Sequence, residues 1–205
     1  MAEVKQLIEG YKKFYKDYFA SGGELYSGLC EGQHPKTLII ACSDSRVDPS
    51  ILTNAKPGDI FVVRNVANLV PPYQKKESGI LGVSAAMEFA VRFLEVKHIV
   101  ILGHSGCGGI RALIEGIEDS DFIGKWVSVA QPAKEKAAKR DGDMQQNCEE
   151  ESVINSLANL TTFPWIKEKI ESGNLKIHGW RFSLEDGSLN QYNPKTEKFE
   201  AIEVE

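Results

Sequence analysis

The sequence has little of what marks a membrane-bound or secreted protein. No stretch of its 205 residues approaches the roughly 18 apolar residues that a transmembrane helix needs. The first residues run straight into an amphipathic pattern, without the apolar core of a signal peptide. Four cysteines could form two disulfides, but a chain of this length without a signal peptide more often uses cysteine for metal binding or catalysis. Two of them, Cys30 and Cys148, show no partner spacing, and we interpret both as partly buried thiols. We therefore expect a cytoplasmic protein that is not anchored to a membrane.

The sequence also has no excess of basic charge. The net charge is -5, and the only local cluster of basic residues alternates with alanine at helical spacing: Lys134, Lys136, Lys139 and Arg140. Such a cluster is typical of a solvated helix face, so we expect no nucleic-acid partner. The sequence also contains no internal repeat, low-complexity tract or linker, and its length predicts one domain, residues 1–205.

Strand and helix patterns alternate along the chain. Strands that are covered on both faces are apolar on every residue, and three such runs occur, at 37–41, 60–63 and 99–102. Apolar residues spaced by three and four predict helices at 3–19, from Ser78 to Leu94, near 110–116, at 122–140 and at 149–171. This order predicts an α/β fold with a mostly parallel central sheet and flanking helices.

The two ends of the chain differ from this core. Residues 1–22 predict a helical arm rich in aromatic side chains, which must pack on its own domain or on a partner subunit. An alternating pattern around Asp186-Gly187 predicts an antiparallel hairpin over 174–193 that closes one edge of the sheet.

Residues with reactive side chains follow two of the predicted strands. Cys42 comes directly after the first apolar run, and His104 and Cys107 follow the third. If these strands are neighbours, their carboxyl ends meet where open parallel sheets bind ligands. Two thiolates and one imidazole form a known catalytic zinc ligand set with an open fourth position, and sulfur favours zinc over magnesium or calcium. The sequence therefore predicts one zinc ion in a zinc-binding core over residues 36–110.

Asp44, two residues after Cys42, indicates that the predicted zinc acts on a bound water. An open position on zinc admits a water whose pKa falls from about 15.7 toward about 7, so hydroxide becomes available near neutral pH. Asp44 could orient that hydroxide or could itself occupy the fourth position. Arg46 favours the first, because a guanidinium that binds the carboxylate through two hydrogen bonds pulls it off the metal and keeps it ionised.

Each of these residues alone has an ordinary interpretation. Cys42 fits a buried thiol, His104 a hydrogen-bonded core histidine, and Asp44 with Arg46 an ion pair in a loop. Their joint occurrence at two corresponding strand ends is much less frequent by chance. Cys42 and Arg46 are too close in sequence for a cysteine phosphatase loop, and residues 103–109 fit neither the dinucleotide fingerprint nor the Walker pattern.

Three motifs together resemble the signature segments of the β-class carbonic anhydrases: Cys42-Ser43-Asp44-Ser45-Arg46, Phe61-Val62-Val63-Arg64-Asn65-Val66-Ala67-Asn68 and Gly103-His104-Ser105-Gly106-Cys107-Gly108-Gly109. The resemblance is strong over 32–110 and looser as far as Gly179-Trp180. It implies reversible hydration of carbon dioxide to bicarbonate and a proton, with zinc on Cys42, His104 and Cys107 and with Asp44 and Arg46 as catalytic residues. It also implies a homodimer or a dimer of dimers, in which the N-terminal helix reaches across to the partner.

The same resemblance assigns residues to the substrate. It implies that the side-chain amide of Gln33 bonds the substrate, while Phe61, Val66 and Phe89 form an apolar wall for carbon dioxide. Such a wall suits an uncharged substrate, which offers nothing to a strong donor until bicarbonate forms. Gly108 belongs to the same pocket, and together with Gly106 it is expected to allow close backbone approach.

Two further expectations follow from single positions. A subgroup that bicarbonate inhibits carries tryptophan where this chain has Ile39, so the resemblance is to the plant-like, non-allosteric type. No histidine is an obvious proton shuttle; His34, next to Gln33, is a candidate, whereas His98 and His178 are interpreted as structural or exposed.

Two alternatives stay open. The same fold and metal could serve an analogue of carbon dioxide, such as carbonyl sulfide or carbon disulfide. Alternatively, the zinc could be structural and the chain an assembly or bicarbonate-sensing module. Asp44, Arg46 and Gln33 argue against the second alternative, because a closed structural site has no use for a carboxylate and guanidinium pair.

Overall fold

The computed structural model describes residues 2–20, 22–74 and 81–204. Its helices are α1 (Ala2–Tyr18), α2 (Glu24–Ser27), α3 (Pro49–Thr53), α4 (Leu81–Glu88), α5 (Gly108–Glu115), α6 (Ile123–Val127), α7 (Gln131–Ala137), α8 (Met144–Leu160) and α9 (Pro164–Glu171). Its strands are β1 (Thr37–Cys42), β2 (Ile60–Asn65), β3 (His98–His104), β4 (Lys176–Phe182), β5 (Leu189–Asn193) and β6 (Lys198–Ala201).

These strands form one sheet in the order β2-β1-β3-β4-β5-β6. The pairs β1–β2, β1–β3 and β3–β4 are parallel, and β5 and β6 are antiparallel additions at one side. The mostly parallel sheet with an antiparallel C-terminal edge confirms the predicted α/β fold. Because β2 lies on one side of β1 and β3 on the other, the strand order switches direction between β1 and β3. The carboxyl ends of those two strands therefore border the crevice where parallel sheets bind ligands.

The sheet is buried on both faces at its centre, as the apolar runs predicted. Leu38 and Ile40 of β1 are fully buried in the core that α4 and α8 share with the sheet, together with Val153. Ile39 and Ala41 point to the other face, where buried residues of β3 accompany them. Burying each large aliphatic side chain contributes about 1.5–3 kcal/mol, so this centre is a rigid base for the strand ends.

Several predicted boundaries differ from the observed ones. The helix predicted from Ser78 begins outside the described residues. Its described part, α4, ends at Glu88 and continues as one turn of π-helix at Phe89–Phe93. The helix predicted over 122–140 is two short helices joined by a tight turn at Ser128–Ala130. The helix predicted from residue 149 begins at Met144, because the side chain of Asp143 accepts a hydrogen bond from the backbone N–H of Gln146 and caps it. Sequence patterns missed β6, a four-residue strand with charged residues at two positions.

Helix α1 leaves its apolar stripe uncovered within one chain. Val4, Leu7 and Tyr11 are 60%, 73% and 62% exposed. Near its carboxyl end, the rings of Phe14 and Phe19 contact Tyr26 of α2. Such a stripe is large for a surface that only water covers. Among the described helices, none is both long and apolar enough to cross a membrane.

Candidate metal centre

Three potential metal ligands meet at the carboxyl ends of β1 and β3. Cys42 ends β1, His104 ends β3, and the two strands are hydrogen-bonded neighbours. Cys107 lies on the turn that leads into α5. The ligand atoms of the three residues all lie within 4.8 Å of one another, and the two sulfur atoms are 4.0 Å apart. A disulfide needs about 2.05 Å, whereas two sulfurs on one tetrahedral zinc ion are about 3.8 Å apart.

The histidine ring presents a free nitrogen to this group. Nδ1 of His104 lies 2.9 Å from the carbonyl oxygen of Ser105, so Nδ1 carries the proton and donates it there. Nε2 is buried and has no hydrogen-bond partner among the described residues. A buried ring nitrogen without a partner is unfavourable, and a metal bond would satisfy it. Together with two sulfurs, this nitrogen fits one zinc ion.

The two thiols differ in the direction in which their surroundings shift the pKa. A hydrogen bond from Cys107 lowers the pKa of Cys42 to about 4, against the opposing effect of burial. The same contact, together with burial, raises the pKa of Cys107 well above its usual range. The lowered pKa of Cys42 favours its thiolate, which is the form that binds a metal.

A strained turn supplies a further hydrogen bond to Cys42. The backbone N–H of Ala67 donates to its sulfur over 3.4 Å. Ala67 has a left-handed φ of 65°, which costs an L-residue roughly 1–2 kcal/mol. Asn65 supports this turn, because its side chain accepts from the N–H of Leu69 at 2.8 Å and donates to the carbonyl oxygen of Leu69 at 3.0 Å. A side chain at Gly109 would lie 2.9 Å from the Cβ of Ala67, so α5 can approach the turn only because this residue is glycine.

Asp44 and Arg46 form the two-pronged pair that the sequence predicted. Nε of Arg46 donates to Oδ1 of Asp44 at 2.9 Å, and Nη2 donates to Oδ2 at 2.6 Å. Nη2 also donates to the carbonyl oxygen of Gly106 at 3.1 Å, which ties the loop after β1 to the loop after β3. The hydrogen bonds from Arg46 hold the pKa of Asp44 well below its usual range. Oδ2 lies 3.9 Å from Nε2 of His104, so an ionised carboxylate stands beside the ligand group.

Arg64 fastens the loop that carries Asp44. Its guanidinium donates to the carbonyl oxygens of Cys42, Asp44 and Val47 at 3.0, 2.7 and 2.9 Å. It also pairs with the carboxylate of Asp48 at 3.0 Å. The sequence patterns assigned no role to Arg64, because its three carbonyl partners are backbone groups that no motif reveals.

Two of the predicted substrate residues lie at the carboxyl end of the parallel strands, as the candidate ligands do. Val66 directly precedes Ala67 and is 37% exposed, and Gly108 directly follows Cys107. A Cβ at Gly106 or Gly108 would meet nothing within 4 Å among the described residues, so no contact within the chain requires glycine at either position. Gly106 is required instead by its left-handed φ of 64°, and the close approach occurs at Gly109.

The other three predicted substrate residues lie at the amino end of the parallel strands. Phe61 pairs with Leu38, four residues before Cys42, which places its backbone about 13 Å from the metal ligands. The ring of Phe89 packs 6.0 Å from that of Phe61 and is 43% exposed. Gln33 is exposed and precedes β1, so it too lies at the amino end of the sheet. One chain therefore does not bring these residues to its own metal ligands.

A mostly parallel α/β sheet with two thiols and a free imidazole nitrogen at its switch point defines a protein with a candidate metal centre. A sequence model of the family described as carbonic anhydrase matches residues 37–189. The chain is 43% identical over 199 residues to β-carbonic anhydrase 5, chloroplastic, of Arabidopsis thaliana; the match covers 93% of this chain and 64% of that protein. The chain thus spans less than two thirds of that relative's length. This chain belongs to the carbonic anhydrase family.

Solved structures agree with this assignment. The β-carbonic anhydrase CcaA superposes with a TM-score of 0.91 at 34% identity, over 100% of this chain and 94% of that one. A β-carbonic anhydrase of the ascomycete Sordaria macrospora, described as tetrameric, superposes with a TM-score of 0.81 at 26% identity, over 93% of this chain and 97% of that one. The similarity thus extends well beyond the ligand motifs to the terminal segments.

Proposed function

We propose that the chain is a zinc enzyme that catalyses the reversible hydration of carbon dioxide to bicarbonate and a proton. The observation that carries this proposal is the group of Cys42, His104 and Cys107, with an unpartnered Nε2 and an ionised carboxylate beside it. Within the carbonic anhydrase family, this combination supports a catalytic rather than a structural metal.

The residues of the chain divide the chemistry among them. Cys42, His104 and Cys107 would hold zinc, which when bound supplies a Lewis acid that lowers the pKa of a water at its open position. Asp44 accepts a hydrogen bond from the attacking water and so orients a lone pair toward the carbon of the substrate. Arg46 keeps Asp44 ionised and holds it off the ligand group, because it occupies both carboxylate oxygens.

The substrate pocket needs a second copy of the chain. Val66 and Gly108 lie beside the ligands at the carboxyl ends of the strands. The remaining predicted substrate residues lie at the amino ends: Gln33, Phe61 and Phe89. We infer that these three come from the partner subunit and complete the apolar wall. The exposed stripe of α1 supports a homodimer, since a partner surface would cover its aromatic side chains. The Sordaria protein, which is described as tetrameric, is consistent with a dimer of dimers.

Metal analysis combined with stopped-flow assays tests the proposed reaction. We expect one zinc per chain at full activity, loss of carbon dioxide hydration on chelation, and recovery when zinc is returned. Carbonyl sulfide and carbon disulfide serve as comparison substrates, and faster turnover of either would favour the alternative hydrolase. Full hydration activity in metal-free protein would contradict the proposal.

Mixing two inactive variants tests the shared pocket. One variant carries Asp44→Asn and the other carries Gln33→Ala with Phe61→Ala. In a hybrid dimer, one site combines the intact Asp44 of one chain with the intact Gln33 and Phe61 of the other. Random exchange of subunits should thus restore about a quarter of the wild-type sites, since the same interface is used twice. If activity stays at the level of the separate variants, each pocket belongs to one chain.

The cytoplasmic location predicted from the sequence stays a prediction, because the Arabidopsis relative is a chloroplast protein. Fractionation of cells that express the chain at its natural level measures it directly.

A further inference from the structure

A buried carboxylate lies against the backbone of Cys107. Glu149 belongs to α8, and its Oε1 accepts a hydrogen bond from the backbone N–H of Cys107 at 3.1 Å. The side chain of Glu149 is only 2% exposed. Cys107 is the residue that precedes α5, a position where a carboxylate partner for a free N–H is favourable.

Arg181 holds this carboxylate from the other side. Its Nε and Nη2 donate to Oε2 of Glu149 at 3.2 and 2.8 Å, and its side chain is 10% exposed. Arg181 lies on β4, opposite Gly103 of β3. The pair therefore connects α8, β4 and the turn between β3 and α5.

Gln145 completes the arrangement one helical turn before Glu149. Its Nε2 donates to Oε1 of Glu149 at 2.8 Å and to the carbonyl oxygen of Cys107 at 3.0 Å. The backbone N–H and the carbonyl oxygen of Cys107 are thus both bonded to side chains of α8. The turn is also tied to the residues around the end of β4, because the N–H of Ser105 donates to Phe182 at 2.9 Å and its hydroxyl accepts from Leu184 at 2.8 Å.

The position of this ion pair, against the backbone of Cys107, points to a role beyond the stability of the fold. A buried ion pair is a poor way to stabilise a fold, since apolar side chains of similar volume often do as well or better. Here the carboxylate of the pair accepts a hydrogen bond from the backbone of one residue of the ligand group, through a contact that involves protein atoms only. Removal of a residue that orients a metal ligand commonly weakens metal binding.

We propose that Glu149, held by Arg181, is a positioning residue for Cys107. It keeps residues 104–107 in the metal-binding conformation before a metal arrives and thereby raises metal affinity. The proposal rests on the metal-binding part of the proposed function and not on the identity of the substrate, so metal titration tests it without an activity assay.

Two double variants isolate the hydrogen bond from the charge. Glu149→Met with Arg181→Met removes both charges and the acceptor, whereas Glu149→Gln with Arg181→Met removes both charges but keeps an amide oxygen for the N–H of Cys107. Zinc affinity is measured by competition with a chelator, and the absorption of the Co²⁺-loaded proteins reports ligand geometry. We expect the first variant to bind zinc about 10- to 100-fold more weakly than wild type, and the second to recover most of that loss. Equal affinities for the two double variants would overturn the proposal.

A matched control lies one residue further along α8. Glu150 pairs with Arg140 at 2.6 Å, and its side chain is 11% exposed. Glu150→Met with Arg140→Met makes the same chemical change at a pair that the structure does not join to the ligand group. Zinc affinity should be unchanged in this control. A loss as large as that of the first variant would mean that the effect is a general loss of stability, and the proposal would fail.

Hydrogen exchange in the wild-type chain decides the question even where a variant does not fold. The proposal requires the amide proton of Cys107 to exchange slowly after zinc has been stripped, because its acceptor is Glu149 and not the metal. Exchange at the rate of an unstructured peptide in the metal-free protein would show that the turn is ordered only by the metal, and would refute the positioning role.

Discussion

The two ends of β3 each carry a histidine, and the comparison between them shows which ring nitrogen is available to a metal. At the amino end, Nδ1 of His98 lies 3.1 Å from Nε2 of His178, so the two rings are partners for each other. At the carboxyl end, Nε2 of His104 is buried beside two thiols and has no partner among the described residues. The same residue type on the same strand thus lies in two different environments, and of the two rings it is His104 that leaves a buried nitrogen available to a metal.

The carboxyl end contains a second contrast, between two ion pairs. Arg46 is 55% exposed and its partner Asp44 stands beside the ligand atoms. Glu149 and Arg181 are 2% and 10% exposed, and Glu149 accepts a hydrogen bond from the backbone of Cys107. An exposed pair contributes little to stability but leaves a carboxylate accessible to water. A buried pair is costly to break. We therefore expect the first pair to act in turnover and the second in the geometry and stability of the site.

Removal of a thiol ligand should have the largest effect. Cys107→Ala or Cys42→Ala should lose bound zinc and essentially all catalysed hydration, because free water has a pKa of about 15.7 instead of about 7. Metal content and stopped-flow rates measure both. Cys148→Ala is the control: burial raises the pKa of this thiol to about 11, and we expect zinc and activity to be retained. Substantial activity in a zinc-free Cys107→Ala protein would refute the catalytic metal.

Removal of the carboxylate beside the ligands should rank second. Asp44→Asn should keep zinc and lose about 100-fold or more in turnover, since a positioned group that handles the proton of the attacking water contributes roughly 10²–10⁴. The measurements are kcat and zinc content of the same preparation. A variant with normal turnover would remove Asp44 from the mechanism.

The two ion pairs should contribute very differently to the free energy of unfolding. Arg181→Met leaves Glu149 buried without its partner and should lower the free energy of unfolding by about 3–5 kcal/mol. Arg46→Met should scarcely move the urea midpoint, because the guanidinium is largely in water, but it should lower turnover. Equal midpoints for the two variants would mean that burial does not distinguish these pairs.

The histidine pair at the amino end should produce the smallest effect, and only below neutral pH. Burial, then the neighbouring His98 and Lys176, lowers the pKa of His178. Below the ordinary histidine pKa of about 6.5, the unfolded chain therefore binds a proton that the folded chain resists, so stability falls as pH decreases through this window. His178→Gln should flatten that dependence in thermal unfolding, whereas His34→Gln, at an exposed position, should leave it unchanged. A wild-type slope in His178→Gln would assign the dependence to other groups.

Sequence patterns predicted much of the fold and of the candidate site. Uniformly apolar runs identified β1, β2 and β3, and the short spacing from Asp44 to Arg46 predicted their two-pronged contact, because both features depend on nearby residues. Glu149 could not be found in this way, since it is one of three consecutive glutamates in an ordinary helix. The separation of Phe61 and Phe89 from the ligands was equally invisible, because it depends on strand register.

By itself, the sequence determined which side chains could bind a metal and which segments would be strands, because residue type and periodicity are local properties of the chain. Only the tertiary structure decided which of those side chains meet. Cys42 and His104 become neighbours because β1 and β3 pair in parallel, and Cys107 is held by a helix that begins 37 residues later in the chain. Such contacts arise from packing between distant segments, and no local pattern encodes them.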